Sequence, residues 1–99
     1  MVVHDIKWDG GKYSGMVNSK GIPHGLGRRV GLETIYEGEF CNGQRTGFAR
    51  QIEQYYCYLG NFENAWKSGR GYQLHFMGEA KQGLFEKDKL KTPMDVNIA

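Results

Sequence analysis

Cysteine occurs only twice, as Cys41 and Cys57, too rarely for the disulfide framework of a small secreted scaffold. Proline also occurs only twice, which excludes a collagen-like or proline-rich disordered chain. No apolar run approaches the roughly 20 residues that a membrane-spanning helix requires. The opening residues, Met1-Val2-Val3-His4-Asp5, lack the charged-then-apolar order of a secretory signal. Charge of one sign is equally scarce: 13 basic against 11 acidic side chains leave a net +2, which gives no reason to expect nucleic acid. These absences predict a soluble intracellular, cytoplasmic protein; they assign no organelle and leave membrane or cytoskeletal association open. At 99 residues the chain has room for one domain with a modest core.

Glycine and aromatics are what the chain has in excess. Fifteen glycines are about twice the usual share of ~7 %, and six Tyr, five Phe and two Trp accompany them. Such a composition favours strands and turns over helices. The glycines are periodic. Tyr-x-Gly occurs at Tyr13-Ser14-Gly15, Tyr36-Glu37-Gly38 and Tyr58-Leu59-Gly60, with a weaker copy at Lys81-Gln82-Gly83, and an apolar residue follows two positions on: Val17, Phe40, Phe62, Phe85. An offset set is Gly25-Leu26-Gly27, Gly47-Phe48-Ala49 and Gly69-Arg70-Gly71. Self-similarity at this period signals stacked supersecondary units, and two short strands with two connections fill about 22 residues. The divisions predicted are a half repeat over 2–12, repeats over 13–35, 36–57 and 58–80, a partial repeat over 81–90, and a tail over 91–99 that caps the last edge or is ordered by a partner. Asn42-Gly43 is a strong hairpin signal.

Alternation along a strand puts Tyr36, Gly38 and Phe40 on one face and Glu37 and Glu39 on the other. A ring from one strand can then lie across a bare glycine of the next. Val30, Ile52 and Leu74 fall at equivalent return-strand positions and predict a further cross-strand column. The structural set is therefore Tyr13, Gly15, Tyr36, Gly38, Phe40, Tyr58, Gly60, Phe62, Gly83 and Phe85.

The fuller pattern, Tyr36-Glu37-Gly38-Glu39-Phe40-Cys41-Asn42-Gly43-Gln44-Arg45-Thr46-Gly47, resembles the MORN (membrane occupation and recognition nexus) repeat. Two fair matches, Tyr13-Ser14-Gly15 with Gly25-Leu26-Gly27 and Tyr58-Leu59-Gly60-Asn61-Phe62 with Gly69-Arg70-Gly71, extend the resemblance over about residues 8–85. Phe40 and Phe62 stand where that family often has Trp, Ala49 replaces a glycine, and Lys81 replaces the last tyrosine. The resemblance implies an all-β fold, a single elongated, twisted antiparallel sheet of stacked β-hairpins. It also implies a non-catalytic role in scaffolding, protein–protein contact, or attachment to membrane or cytoskeleton.

Catalytic and metal groupings do not emerge from the residues. His4, His24 and His75 lack ligand-like neighbours, and with Cys41 and Cys57 they give no zinc spacing. Gly25-Leu26-Gly27-Arg28-Arg29-Val30-Gly31 has the wrong spacing for a dinucleotide fingerprint. Neither an enzyme nor a cofactor is expected. Two binding surfaces are expected instead. One is an aromatic face for a protein partner, from Tyr55, Tyr56, Tyr58, Trp66 and Tyr72. The other is a basic stripe of Lys20, Arg28, Arg29, Arg45, Arg50, Lys67 and Arg70, which could meet anionic lipid such as phosphoinositide, or an acidic partner. The readings are a structural or adaptor subunit of a larger assembly; alternatively a peripheral lipid-binding module; alternatively an accessory targeting domain of a larger enzyme. Unpaired sheet edges leave a homodimer open.

Overall fold

The computed structural model describes residues 1–94. Nine strands follow one another: β1 (Val2–Trp8), β2 (Gly11–Val17), β3 (Pro23–Val30), β4 (Ile35–Cys41), β5 (Gln44–Ile52), β6 (Tyr56–Glu63), β7 (Trp66–His75), β8 (Ala80–Glu86) and β9 (Lys89–Pro93). Each pairs antiparallel with the next, so chain order is also spatial order in one open sheet of consecutive hairpins. There is no helix among the described residues. Lys89–Pro93, which runs from the expected partial repeat into the expected tail, forms β9, the return strand of a further hairpin. Residues 95–99 of the expected tail lie outside the described residues. The opening strand is itself a sheet edge, kinked where Asp5 takes a φ of +53°; the other edge carries Lys89 and Lys91. Kinks and lysines both discourage further strand pairing.

Four connections are two-residue turns: Asp9-Gly10, Asn42-Gly43, Asn64-Ala65 and Lys87-Asp88. Both residues of each have positive φ, the type I′ geometry that matches strand twist. At one end the turns lock onto one another. The amides of Gly43, Ala65 and Asp88 donate to the carbonyls of Pro23, Arg45 and Lys67 at 2.8, 3.0 and 3.1 Å. Ala65 is the misfit, because its φ of +68° presses Cβ toward carbonyl oxygen at about 1–2 kcal/mol. Ala65→Gly is therefore expected to stabilise the protein by about 1 kcal/mol, read as a rise in melting temperature of roughly 4–8 °C. An unchanged melting temperature would mean that the turn is not held in this conformation.

The register explains the glycine motif. Gly15, Gly27, Gly38, Ala49, Gly60, Gly71 and Gly83 stand directly opposite one another, one per strand from β2 to β8. Tyrosine rings occupy the space that these positions leave. A Cβ on Gly71 would fall 2.5 and 2.6 Å from Cε1 and Cζ of Tyr58, and Tyr13 covers Gly27 in the same way. Just past this row the register slips in each of the first three full hairpins, with two extra residues on the return strand. There the first glycine of each offset pair adopts positive φ: Gly25 +98°, Gly47 +63°, Gly69 +75°. The two positions of Gly-x-Gly thus do different work, although alternation alone assigns both to one packing face. The first permits the bulge and the second makes room for a ring.

A bulge bends the strand that carries it. A flat sheet of strands this long would be about 25 Å wide and ~10 Å thick. The molecule measures 44 × 24 × 23 Å, so the sheet folds over itself along its length. That is how Tyr13, Tyr36 and Tyr58 reach 0 % exposure in a protein with one sheet. The carbonyls at the bend are satisfied by the tyrosines. Tyr13, Tyr36 and Tyr58 donate Oη–H to Met16, Glu39 and Asn61, each three residues on, at 2.6, 2.6 and 3.0 Å. The rings form one unbroken edge-to-face series, Tyr13–Phe40–Tyr36–Phe62–Tyr58–Phe85, with centroids 4.9–5.3 Å apart.

Candidate functional site

The bend gives the sheet a concave interior and a convex exterior, and strand alternation divides every candidate residue between them. The aromatic set does not form one face. Tyr58 is wholly buried in the core and cannot meet a partner. Tyr56 is half-buried on the interior, stacked near His75 at 5.4 Å. Trp66 is half-exposed, and it alternates with inward Lys67 to lie outside, as does Tyr72. Tyr55 lies exposed in the loop before β6.

The basic set also splits. Arg28 and Arg50 stand on either side of Glu37 in the register, and both bind its carboxylate, at 3.1 and 2.5 Å. The Glu37 hydrogen bond raises the Arg50 pKa further above its ordinary value. Their predicted stripe is therefore half-neutralised, because in a strand direct opposition puts an acid between them. Arg70 is exposed on the same convex side, and Lys20 is exposed in the loop between β2 and β3. Arg29, Arg45 and Lys67 face the interior instead.

Interior cations meet polar partners across the fold. The Arg45 guanidinium donates to Gln51 Oε1 at 2.5 Å and to the Ala65 carbonyl at 2.9 Å, and it lies 5.5 Å from the Phe62 ring centroid. Gln51 in turn donates to Glu53 at 2.7 Å. One hairpin on, Lys67 repeats the arrangement. Its ammonium donates to Tyr56 Oη at 2.8 Å and to Gln73 Oε1 at 3.3 Å, and it lies over the rings of Tyr56 and Tyr58. Lys67 is only 5 % exposed, and burial lowers its pKa. The 22-residue interval from Gln51 to Gln73, equal to that from Arg45 to Lys67, was the available signal for the glutamines; their contact with the cations depends on a bend that only the register reveals.

Burial acts oppositely on the tyrosines. It raises Tyr13 and Tyr36 above the ordinary phenol range, and pushes Tyr56 and Tyr58 up to about 12. A phenol whose folded pKa is raised contributes stability that is intact below pH ~10 and lost as pH climbs toward the folded value. Lys67 has the other sign: its desolvation cost is relieved as pH rises toward about 10.4, the free-lysine value. Urea midpoints are therefore expected to hold or rise slightly from pH 7 to pH 10 and then to fall steeply above it. A midpoint that stays level through pH 11.5 would place these phenols in solvent.

The convex side carries a scattered set of outward apolar residues that the repeat motif does not include. Met16, Leu26, Phe48, Leu59 and Leu84 are all at least 40 % exposed, Leu26 reaching 63 %. Leu26 and Phe48 are the middle residues of the Gly-x-Gly and Gly-x-Ala pairs. An apolar residue at an outward position was the available signal. Between Phe48, Leu59, Tyr72 and Met94 a groove of about 320 Å³ is floored by Gly60, Gly71 and Gly83, with Arg70 at its side. The Val30–Ile52–Leu74 column also lies outside, interleaved in register with Ile35 and Cys57. Among the described residues no three His, Cys, Asp or Glu side chains converge as a metal site would need. No model of a known protein family matches the chain, and no curated protein matches it.

Proposed function

We propose that this chain is a non-catalytic, MORN-repeat-like adaptor whose convex face holds a protein partner. The observation that carries this reading is the set of exposed apolar side chains on that face, Met16, Leu26, Phe48, Leu59 and Leu84. Large apolar side chains stand outward on five of the seven strands from β2 to β8, interspersed with Glu39, Asn61 and Arg70 in the register, a mixed apolar and polar pattern that suits an interaction surface. The glycine-floored groove lets a partner's side chains or backbone come close to the sheet, and the sequence resemblance to a scaffolding family points the same way. On this reading Trp66 and Tyr72 stay in the contact surface, while Tyr56 and Tyr58 leave it.

The test pairs wild type with a Phe48→Ser/Leu59→Ser variant. Both side chains point outward, so the variant keeps its melting temperature. Proteins crosslinked in cells through a photoreactive residue at position 61 should include one that wild type captures and the variant loses. Identical capture by both would remove the convex face from the proposal. The lipid reading is separated by sedimentation with phosphoinositide vesicles. Salt-sensitive binding that the serine variant retains would favour it over a protein partner.

A further inference from the structure

On the opposite, concave side the first hairpin curls over the core. The Trp8 indole N–H donates to the Gly43 carbonyl at 3.3 Å, linking the first turn region to the turn of the β4–β5 hairpin. Beneath it is a partly open cavity of about 170 Å³ lined by Trp8, Asp9, Arg29, Phe40, Gln44 and Arg45. Two guanidiniums border it, and among the described residues neither makes an ion pair; the salt bridges found there are those of Arg28 and Arg50 with Glu37. Both are held in place by neutral acceptors. Arg29 donates to the Asp9 carbonyl at 2.7 Å, and Arg45 donates to Gln51 and Ala65. These bonds use one of five N–H groups on Arg29 and two on Arg45. The Nε of Arg29 is buried with no acceptor, an uncommon state for a buried donor.

We propose that this cavity binds a carboxylate. Oriented guanidinium edges suit a planar carboxylate, which accepts two parallel N–H bonds. The size fits: about 170 Å³ is the share of five or six waters at ~30 Å³ each, enough for a carboxylate on a short aliphatic stem. Charge selects among anions. Two arginines and Asp9 leave one net positive charge around the cavity, which a monoanion neutralises and a dianion overshoots. Phe40 and Trp8 supply apolar walls for the stem. The carboxylate could come from an acidic side chain of a protein or from a small free acid, and the site is independent of the convex face.

The experiment is a titration of the ¹⁵N-labelled protein at constant ionic strength, following the Trp8 Nε1–H and Arg29 Nε–H resonances. The probes are acetate, N-acetyl-glutamate amide, the uncharged N-acetyl-glutamine amide, and phosphate at pH 8. Saturable shifts of both resonances are expected with acetate and with the glutamate amide. The glutamine amide should give none, and phosphate at least threefold weaker affinity. Binding of the glutamate amide as tight as that of acetate assigns the site to a protein side chain; binding of acetate alone assigns it to a small acid. Arg29→Gln should weaken binding at least tenfold. Arg29→Lys, which keeps the charge but loses the fork, should also weaken it, and an unmoved Trp8 indole resonance in either variant certifies the fold. Linear, non-saturating shifts, equal response to phosphate, or binding unaffected by both substitutions would overturn the proposal.

Discussion

Gly71→Ala is expected to lower the unfolding free energy by about 3 kcal/mol, at or beyond the upper end of ordinary overpacking costs. The same change at Gly31 should stay within about 0.5 kcal/mol. Neither glycine has a left-handed φ, so backbone strain is absent from both and only the surroundings differ. A Cβ at Gly31 meets nothing closer than 3.5 Å, whereas one at Gly71 meets ring carbons of Tyr58 at 2.5 and 2.6 Å, with Oη nearer still. Tyr58 cannot swing aside, because its ring is edge-to-face with both Phe62 and Phe85 and its hydroxyl is tied to Asn61. For the same reason Tyr58→Phe should not rescue Gly71→Ala, since removing the oxygen leaves Cε1 and Cζ where they were. Urea denaturation of the four proteins decides the matter. Equal costs at Gly31 and Gly71 would show that the small row is tolerated rather than required.

That row is the part of the fold most openly written in the sequence. Tyr-x-Gly and its apolar follower state which residues face inward, and Asn42-Gly43 states where the chain reverses. The ladder of rings and glycines follows from alternation alone. What alternation could not supply is the bend. Gly25, Gly47 and Gly69 look like further packing positions by their spacing, yet they sit at register slips whose positive φ depends on pairing with the neighbouring strand. The misplaced interior residues descend from that, and the half-neutralised stripe from the register itself. Arg29, Arg45 and Lys67 read as loop or return-strand surface until the sheet folds and brings Gln51, Gln73 and Tyr56 across to them. Arg28 and Arg50 read as a stripe until the register sets Glu37 between them. Tyr56 and Tyr58 count as spare aromatics only in a sheet with an open inner face. The surface that the sequence marks most directly is the outward Leu26 and Phe48 inside the glycine pairs.

Tyr36→Ala should be the most damaging single truncation in the described chain, costing about 3–5 kcal/mol by analogy with deletion of other large buried rings. Tyr36 sits at the middle of the ring series and touches both Phe40 and Phe62 edge-to-face. It is fully buried, and its hydroxyl donates to Glu39 at 2.6 Å and approaches the Thr46 carbonyl at 3.2 Å. Its loss would leave a cavity between hairpins and cut the series into two halves. Against a total stability of roughly 5–15 kcal/mol for a domain of this kind, such a variant would be partly unfolded at 37 °C. Tyr36→Phe separates the two contributions. It keeps the ring contacts and removes only the donor, leaving carbonyls at the bend unsatisfied for about 1–2 kcal/mol. The phenylalanine variant should also soften the alkaline transition, because one of the phenols whose ionisation favours unfolding above pH 10 is gone. If Tyr36→Phe instead costs as much as Tyr36→Ala, the hydroxyl at the bend, and not the interlocked rings, holds the sheet folded over itself.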